Sequence, residues 1–534
     1  MKRFLLFPVT LLLCFQLSGQ RGTIVSTFPM ATLSPEEIML NLKNNLDGTA
    51  YTLAGLFIYQ KYSVTAVKVI YKTINGKGQP TTASGVVFLP VVNKTTRLPV
   101  LSYLHGTLTR KTDAPSYLTG IESVIGWIMA MDGYISVLPD YIGLGDGPGL
   151  HPYHHAATEA SASVDMLKAA MQYCNSAPDI KAKPNGSLYL EGYSQGGHAA
   201  LATQEELQRN PVPGLILQKT VAGSGAYSLS LVQKNFVFDH ADYASPSFLP
   251  YLLLGYQEVY GNMYGNLNQV FVQPYSTAMP GLFDGSLTVN EINLQLPAQW
   301  QSMFNPTYLW NLRYSYLHPV NSALRKNDLI NWKPQSDLHL YYCTCDELVD
   351  NNNSLLAYLS FILKGSNRVT TAPLGPFKHA ECAPFVMLLA KVKFDCDSHA
   401  NPCGINLLSL LKSDTDDELV QFSQAMEESY QAPAVEDLLQ DNILASYLSQ
   451  EIPQEKNKLH VYPNPANDIV NVQLSSEMAG KAIISLFDMQ GRRIREENYT
   501  GNLMIIDVKP LPAGIYKVVV SGDINLSQTL VVSK

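Results

Sequence analysis

The chain has 534 residues, of which 46% are hydrophobic and 15% charged; this composition is typical of a folded protein and argues against long disordered regions. The formal net charge of −8 disfavours a nucleic-acid partner, because neutralising phosphates requires a surplus of Lys and Arg. A chain of this length exceeds one ordinary compact core, so we expect more than one domain.

The N-terminus has the parts of a secretory signal peptide. Lys2 and Arg3 precede an apolar run that ends at Phe15, and this run is too short to cross a bilayer. Ser18 and Gly19 offer the small residues of a cleavage site. We therefore predict a signal peptide at residues 1–20, and no transmembrane segment in the mature protein, because no later apolar run is long enough.

Next comes a hairpin and then an alternation of strands and helices. Residues 62–90 alternate apolar and polar side chains around Asn75-Gly76, which predicts an antiparallel hairpin. The apolar strands and helices that follow predict an α/β fold, with a mostly parallel sheet and helices on both faces. The predicted strands are residues 98–104, 134–138, 188–190, 217–222 and 338–343, and the predicted helices lie near residues 121–131, 157–173 and 197–209 and begin near Ser354 and Cys382.

The alternation is interrupted between about Tyr227 and residue 338. Residues 227–330 are poor in charge and rich in Tyr, Phe, Leu, Asn and Gln. An insertion of this size in a sheet domain is usually a cap or lid, which we predict here. Residues 404–446 have the pattern of acidic amphipathic helices, interpreted as a solvated face.

The end of the chain is of a different kind. From residue 459 onward, short strands alternate with turn signals such as Asn464-Pro465 and Ala513-Gly514, which predicts a small all-β sandwich. The predicted domains are therefore an α/β domain at residues 21–448, a linker at 449–458 and a C-terminal β-sandwich at 459–534.

The motif Gly192-Tyr193-Ser194-Gln195-Gly196 lies between a predicted strand and a predicted helix. At such a turn, G-x-S-x-G holds the serine in a strained conformation with its Oγ above the sheet. Gly192 and Gly196 are needed because a Cβ at either position would come too close to the neighbouring backbone. The motif predicts Ser194 as a nucleophile, with the positive end of the following helix beside the developing oxyanion.

A serine hydroxyl needs a base to remove its proton. The chain has 11 histidines, and in sheets with this type of nucleophile turn the chain order is Ser, acid, His. His379 lies late in the α/β region, in a Gly375-Pro376-Phe377-Lys378 loop before the helix predicted near Cys382. We predict His379 as the base.

The acid that orients the imidazole should follow a strand between Ser194 and His379. The strand that ends at Cys343 to Cys345 is followed directly by Asp346. Asp346 is the predicted acid, and Asp350 and Glu347 remain as alternatives.

Two backbone N–H groups are expected to stabilise the oxyanion. One belongs to Gln195, and the other to the loop after an earlier strand, where Thr107 is preferred and Leu108 is the alternative. Loops at the carboxyl edge of an open α/β sheet bind ligands. The pocket candidates are His105, which we expect to brace its loop, Asp140, Tyr141 and Tyr193.

Two patterns bear on metals and disulfides. The histidines of His151-Pro152-Tyr153-His154-His155 lack an adjacent Glu or a matching cluster, so they are interpreted as pocket lining and no metal is expected. Of the 7 cysteines, Cys14 lies in the signal peptide, and export permits the others to form disulfides. Cys396 and Cys403 flank a short polar turn and are the preferred pair.

Several motifs resemble those of the α/β-hydrolase superfamily, namely HGT at 105–107, PDYIGLGDGPGLHPY at 139–153, GYSQGG at 192–197, CDELVD at 345–350 and HAECAP at 379–384. Over about residues 40–395, the chain is most similar to the secretory-lipase-like group. The resemblance implies a large, mostly helical lid between the nucleophile strand and the acid, hydrolysis of carboxylic esters, no cofactor, and a triad of Ser194, His379 and Asp346. The chain departs from the group at Cys343 and Cys345, where His or Gly and a small residue are more frequent, and at Asp350, where proline is frequent.

The C-terminal segment has a separate resemblance. VYPNPANDIVNV at 461–472, LFDMQGRRI at 486–494 and LPAGIYKVVV at 511–520 are similar to the C-terminal sorting domain of type IX secretion cargo in Bacteroidota. This resemblance implies the type IX machinery as a partner, and export through the periplasm followed by release or attachment to the cell surface.

These features predict a secreted serine hydrolase, an esterase or lipase, that cleaves small-molecule or lipid-like carboxylic esters through an acyl-enzyme. The low charge and aromatic content of the predicted lid suit apolar esters. Two alternatives stay open: a serine peptidase of related fold, although no propeller-length repeat accompanies it, and a non-catalytic surface-binding protein on a hydrolase scaffold, against which the complete order of triad residues argues.

Overall fold

The computed structural model describes residues 21–45, 51, 55, 57–176, 179–399, 459–462, 466, 468–474, 482–488, 492–499, 504–521 and 526–532. The chain divides into two compact units, Met1–Leu444 and Ala445–Lys534. The predicted signal peptide, the predicted helices at 404–446 and the predicted linker lie outside the described residues. Within the described ranges, every helix is too short or too polar to cross a membrane.

The first unit is built on a nine-stranded sheet with the order β1-β2-β3-β5-β4-β6-β7-β8-β9. Its first three strands are antiparallel, and β4 to β9 are parallel to one another. The strands are β1 Ile24–Leu33, β2 Val64–Ile74, β3 Pro80–Pro90, β4 Thr96–Leu104, β5 Ile135–Pro139, β6 Ala182–Tyr193, β7 Ile216–Gly223, β8 Asp337–Tyr342 and β9 Val369–Pro373. The predicted hairpin around Asn75-Gly76 is the β2–β3 pair.

Helices cover both faces of this sheet, which confirms the predicted fold class. The α-helices in the described part of the chain, including those of the insertion, are α1 Pro35–Asn45, α2 Glu122–Met131, α3 Ala156–Ser176, α4 Gln195–Arg209, α5 Lys234–Asp239, α6 Phe248–Tyr260, α7 Leu267–Val270, α8 Tyr275–Leu282, α9 Val289–Asn293, α10 Pro306–Tyr314, α11 Pro319–Lys326, α12 Asn352–Leu363 and α13 His379–Ser398. Helices α3 and α4 share a core with Leu188 and Leu190 of β6. Helices α2 and α13 share another core with Tyr189 and Tyr193 of the same strand. Successive side chains of a strand point to opposite faces, so Leu188, Tyr189 and Leu190 of β6 are all apolar because both faces of the strand are covered there.

Some elements differ from the sequence-based expectation. The first strand and the first helix of the sheet domain, β1 and α1, were not predicted. Helix α13 begins at His379, not near Cys382, because Lys378 takes the N-cap position and Glu381 accepts a hydrogen bond from the Lys378 N–H. Helix α4 begins at Gln195, directly after the nucleophile position, and not near Gly197.

The predicted insertion lies between β7 and β8 and carries α5 to α11. Many of its aromatic side chains pack into a core of the insertion itself, among them Tyr251, Tyr256, Phe271 and Trp300. Other aromatic side chains are exposed, such as Trp310 and Tyr314. The aromatic content of this segment is therefore explained in large part by its own packing.

The second unit is an all-β structure, as predicted. Its two sheets have three and four strands, with the orders β10-β11-β14 and β13-β12-β15-β16. The strands are β10 Leu459–Tyr462, β11 Ile469–Leu474, β12 Ala482–Asp488, β13 Arg493–Tyr499, β14 Met504–Asp507, β15 Gly514–Ser521 and β16 Leu526–Val532. Apolar side chains of both sheets form one core, for example Val470 and Ile506 from the first and Val518 and Leu530 from the second.

Candidate active site

Ser194 occupies a sharp turn between β6 and α4. Its φ and ψ are 58° and −122°, a strained conformation for a residue with a Cβ. The Ser194 N–H donates to the Gly223 carbonyl over 2.9 Å. A Cβ at Gly192 would overlap the Gly196 carbonyl, and a Cβ at Gly196 would overlap the Leu104 carbonyl. The turn therefore forms only with glycine at both places.

The imidazole of His379 is oriented by Asp346. His379 Nδ1 donates to Asp346 Oδ2 over 2.7 Å, and the two side chains are 8% and 1% exposed. The other carboxylate oxygen of Asp346 accepts hydrogen bonds from the backbone N–H groups of Leu348 and Val349. Tyr193 donates its hydroxyl to the His379 carbonyl over 2.6 Å. Asp346 thus fixes the ring of His379 and Tyr193 fixes its backbone, and His379 Nε2 is left for proton transfer.

The two alternative acids have other contacts. Glu347 accepts a hydrogen bond from the backbone N–H of His379 over 3.0 Å. Asp350 accepts from the Asn352 N–H at the start of α12. Of the three carboxylates, Asp346 is the one bonded to the imidazole ring.

Ser194 and His379 line the same cavity, which has a volume of about 860 Å³. The structure records no direct hydrogen bond between their side chains among the described residues. Such bonds are often long before substrate binds and shorten in the enzyme–substrate complex. The cavity walls are mainly apolar side chains of α2 and α13, joined by Phe248 and Val289 of the insertion.

The predicted oxyanion donors lie at this cavity or beside the nucleophile. Gln195 is the first residue of α4, so its N–H has no partner within the helix. Thr107 lines the cavity, and its hydroxyl is hydrogen-bonded to the Tyr153 hydroxyl at 3.0 Å. The role of both N–H groups in stabilising an oxyanion stays a prediction.

Of the four pocket candidates, Tyr193 lines the cavity, whereas His105, Asp140 and Tyr141 are buried away from its lining. His105 Nδ1 donates to the Gly106 carbonyl, and Tyr141 donates its hydroxyl to the His105 carbonyl. Asp140 accepts from the Ser84 hydroxyl at 2.6 Å and from the Ser116 N–H. These three residues brace the loops at the edge of the sheet, as expected for His105. Their assignment to the pocket stays a prediction, because proximity to a strand end does not fix the direction of a side chain.

A disulfide joins Cys343, which directly follows β8, to Cys382 in the first turn of α13. These are the segments that carry Asp346 and His379. No pairing of Cys343 was predicted, and residue types alone could not supply one. Cys396 also takes part in a disulfide, but Cys403 lies outside the described residues, so the predicted Cys396–Cys403 pair stays a prediction.

Replacing Cys343 and Cys382 with alanine is expected to lower the free energy of unfolding by about 2–4 kcal/mol, because the bond closes a long loop in the unfolded chain. Thermal and urea denaturation of the double variant measure this loss. Cys345→Ser is the matched control, since Cys345 is an exposed free thiol in the same loop. If the double variant and the control unfold alike, the bond does not stabilise this region.

A buried polar network lies beneath the nucleophile turn. The Gln195 side-chain amide donates to His151 Nε2 and to Glu159 Oε1, over 2.7 and 2.9 Å. His198 Nδ1 donates to Glu159 Oε2 over 2.6 Å, and His198 Nε2 is hydrogen-bonded to the Asn327 carbonyl. Burial opposes the charge on Glu159 and on His198. The attraction and hydrogen bond between the two groups outweigh burial, so that the pKa of Glu159 is lowered to about 2 and the pKa of His198 is raised. The network ties the residue after the nucleophile to helix α3 and to the end of the insertion.

The three histidines of the HxxHH motif, His151, His154 and His155, have different contacts. Ligand atoms of His154, Glu159 and His198 lie within 4.8 Å of one another, but Glu159 and His198 already use theirs in the hydrogen bonds of the network. Burial, with help from the neighbouring His198, lowers the pKa of His154 to about 3. His155 Nδ1 faces the Thr158 hydroxyl at 3.1 Å. His151, His154 and His155 are all absent from the lining of the cavity that holds Ser194, so their interpretation as pocket lining stays a prediction.

Glu159→Gln is expected to lower the free energy of unfolding by about 3–5 kcal/mol, because it leaves a buried histidine without its counter-charge. Glu159 contributes above its ordinary pKa of 4.5 and loses the contribution as pH falls towards about 2. His198 contributes below its ordinary pKa of 6.5 and loses the contribution as pH rises through its raised pKa. The loss should therefore be larger near about pH 5.5 than near about pH 9.

Urea denaturation at both pH values tests this prediction. Glu205→Gln is the control, since it removes the same type of carboxylate from the surface pair with Arg209. An equal, small effect of both substitutions at both pH values would contradict a structural role of the Glu159–His198 pair.

Some residues of this site could have been suspected from the sequence. Glu191 is a charged residue in the apolar strand before Ser194, and a charge there is unusual. Glu159 has no comparable signal, because its partners come from distant segments. The Cys343–Cys382 pair spans 39 residues and becomes evident only when β8 and α13 are placed side by side.

Two family models match the chain. The secretory lipase family matches residues 108–385, and the secretion system C-terminal sorting domain matches residues 460–533. None of the curated proteins matches the chain.

Solved structures match this chain over most of their own length. A hydrolase candidate from Legionella pneumophila is 28% identical, with a TM-score of 0.63 over 70% of this chain and 97% of that one. The rice cell wall degrading esterase LipA from Xanthomonas oryzae is 27% identical, with a TM-score of 0.61 over 71% of this chain and 98% of that one. Candida antarctica lipase A, at 18% identity and a TM-score of 0.55 over 77% and 90% of the two chains, shares the fold.

The matched lipase region covers more than half of the 534 residues, and both predicted resemblances are confirmed. The sorting domain marks the protein as exported by the type IX machinery, to the cell surface or beyond it. The chain belongs to the secretory lipase family of the α/β-hydrolases and is a carboxylic ester hydrolase.

Proposed function

We propose that this protein hydrolyses carboxylic esters through an acyl-enzyme, with Ser194 as nucleophile, His379 as base and Asp346 as the acid that orients it. The proposal depends on one observation above the others. The imidazole bonded to Asp346 and the serine of the strained turn face the same largely apolar cavity. Glu347 and Asp350, the alternative acids, contact backbone N–H groups instead.

In the first half of the reaction, Ser194 Oγ attacks the ester carbonyl carbon while His379 Nε2 takes its proton. Asp346 holds the ring in the tautomer that bears a proton on Nδ1 and stabilises the imidazolium that forms. The N–H groups of Gln195 and Thr107 donate to the carbonyl oxygen as it becomes negative. The tetrahedral intermediate then collapses, and the imidazolium gives its proton to the departing alcohol.

In the second half, water attacks the acyl-enzyme. His379 Nε2 takes a proton from the water as the new C–O bond forms, and the same N–H groups stabilise the second oxyanion. Collapse of this intermediate breaks the bond to Ser194 Oγ, which recovers its proton from His379 and releases the carboxylic acid.

The cavity suggests the class of ester. Most of its walls are apolar side chains of α2 and α13, including Ile125, Ile128, Phe385 and Leu388, and pockets of this character bind apolar groups. We infer that medium-length acyl esters, including lipid-like ones, are substrates.

A fluorophosphonate probe and a series of p-nitrophenyl esters test the proposal on the mature full-length protein. We expect ester turnover, loss of turnover after treatment with the probe, and a phosphonate adduct on the peptide that contains Ser194. A protein that binds esters without releasing p-nitrophenol, or that carries the adduct on another residue, would contradict it.

A further inference from the structure

Glu191 has an unusual position in the cavity. It lies on β6, three residues before Ser194, and successive strand residues alternate between faces, so its side chain shares a face with Tyr189 and Tyr193. It is 1% exposed, and it lines the cavity together with Ser194 and His379. Both of its carboxyl oxygens lack a hydrogen-bond partner among the described residues.

The neighbouring polar groups of the cavity are already engaged. Tyr103 donates its hydroxyl to Glu122 over 2.6 Å. Lys391 Nζ forms ion pairs with Asp132 and Asp395, over 2.8 and 2.6 Å. Within the described residues no cation lies within ion-pair distance of Glu191. The cavity therefore contains one carboxyl group whose hydrogen-bonding capacity the protein itself does not use.

Burial favours the neutral, protonated form of the Glu191 carboxyl. It raises the pKa of Glu191 well above its ordinary value, and the more distant charge of Lys391 only opposes this. A carboxylic acid in its neutral form offers one O–H donor together with acceptor oxygens. A buried group of this kind favours a ligand that supplies the missing partner and disfavours an apolar ligand that does not.

The placement of Glu191 indicates which part of an ester would meet it. Glu191 lies three residues before the nucleophile, a distance on the order of 10 Å along an extended chain. The acyl group stays bonded to Ser194 until water attacks, whereas the alcohol leaves, so the largely apolar cavity beside Ser194 suits the acyl chain. A group that reaches Glu191 would then belong to the body of a medium-length acyl chain.

We propose that Glu191 is a specificity-determining residue that hydrogen-bonds a hydroxyl or oxo group within the acyl chain, so that the enzyme favours esters of oxygenated acyl groups over plain alkanoyl esters of equal length. The inference rests on the proposed ester hydrolysis at Ser194. It adds a substrate class that apolar cavity walls alone would not suggest.

The experiment compares kcat/KM for p-nitrophenyl octanoate with kcat/KM for a set of p-nitrophenyl hydroxyoctanoates in which the hydroxyl is moved along the chain. For the unmodified enzyme we expect at least one hydroxyl position to be favoured by about tenfold or more. Glu191→Leu should abolish that preference, whereas Glu191→Gln, which keeps a donor and an acceptor, should retain most of it.

Several outcomes would overturn the inference. One is equal kcat/KM for octanoate and every hydroxyoctanoate with the unmodified enzyme, a result that needs no variant to fold. Another is a preference that survives in a folded Glu191→Leu variant. Failure to hydrolyse any ester would instead overturn the proposed function, so the two failures are distinguishable.

Discussion

Ser194→Ala is expected to lower kcat for p-nitrophenyl ester hydrolysis by roughly 10⁴–10⁶-fold, because no other group can form the acyl-enzyme. Alanine keeps the Cβ, so the strain of the turn, with φ at 58°, stays the same in the variant. The loss then reports the missing hydroxyl and not a rearranged backbone. Steady-state kinetics, together with the absence of the fluorophosphonate adduct, measure it.

Ser187→Ala is the control for this variant. Ser187 belongs to the same strand, β6, but lies seven residues before Ser194, and it is absent from the cavity lining. It should retain the kcat of the unmodified enzyme. Turnover by a folded Ser194→Ala variant at the level of this control would mean that the nucleophile lies elsewhere.

Asp346→Asn is expected to lower kcat by roughly 10³–10⁴-fold, as removal of the orienting carboxylate does in serine hydrolases generally. The amide is similar in size, so the backbone contacts of the loop persist. It does not stabilise the imidazolium, and it can present a donor to Nδ1, which favours the wrong tautomer. Comparing kcat of the variant and the unmodified enzyme, with circular dichroism to verify folding, tests this prediction.

Glu347→Gln and Asp350→Asn are matched controls, since both are conservative changes in the same loop. Glu347 contacts the backbone of His379, and Asp350 contacts the backbone of Asn352, so each should retain far more activity than Asp346→Asn. If Asp350→Asn has the larger effect, the acid assignment moves to Asp350.

Much of the fold could be predicted because it follows from local patterns of apolar and turn-forming residues. The strands β4 to β7 are apolar runs, and the hairpin before them has an Asn-Gly turn between alternating residues. β1 was missed because Pro29 interrupts it and because its burial does not follow a clear alternation. Helix α13 was started too late because Pro384 lies inside it, and a proline is more often found at the first turn.

The candidate site was predictable where chain order carries the information. A serine in a glycine-rich turn, a carboxylate after a later strand and a histidine after the last strand follow one order along the sequence. Which loop residues face the cavity does not follow from that order, because the place of His105, Asp140 or Tyr141 near a strand end leaves the direction of its side chain open. Two features depend on side-chain packing between segments far apart in sequence: the unpartnered carboxyl of Glu191 and the network around Glu159. Local sequence patterns carry no information about such packing.

The covalent link between Cys343 and Cys382 has a consequence for biosynthesis. Thiols made in the cytoplasm are kept reduced, and they pair only after the chain reaches an oxidising compartment. The segments bearing Asp346 and His379 are therefore joined only once the protein has left the cell interior. Until then the precursor lacks the disulfide that joins its two active-site segments, and during that time it is in the same compartment as lipids of the cell that makes it.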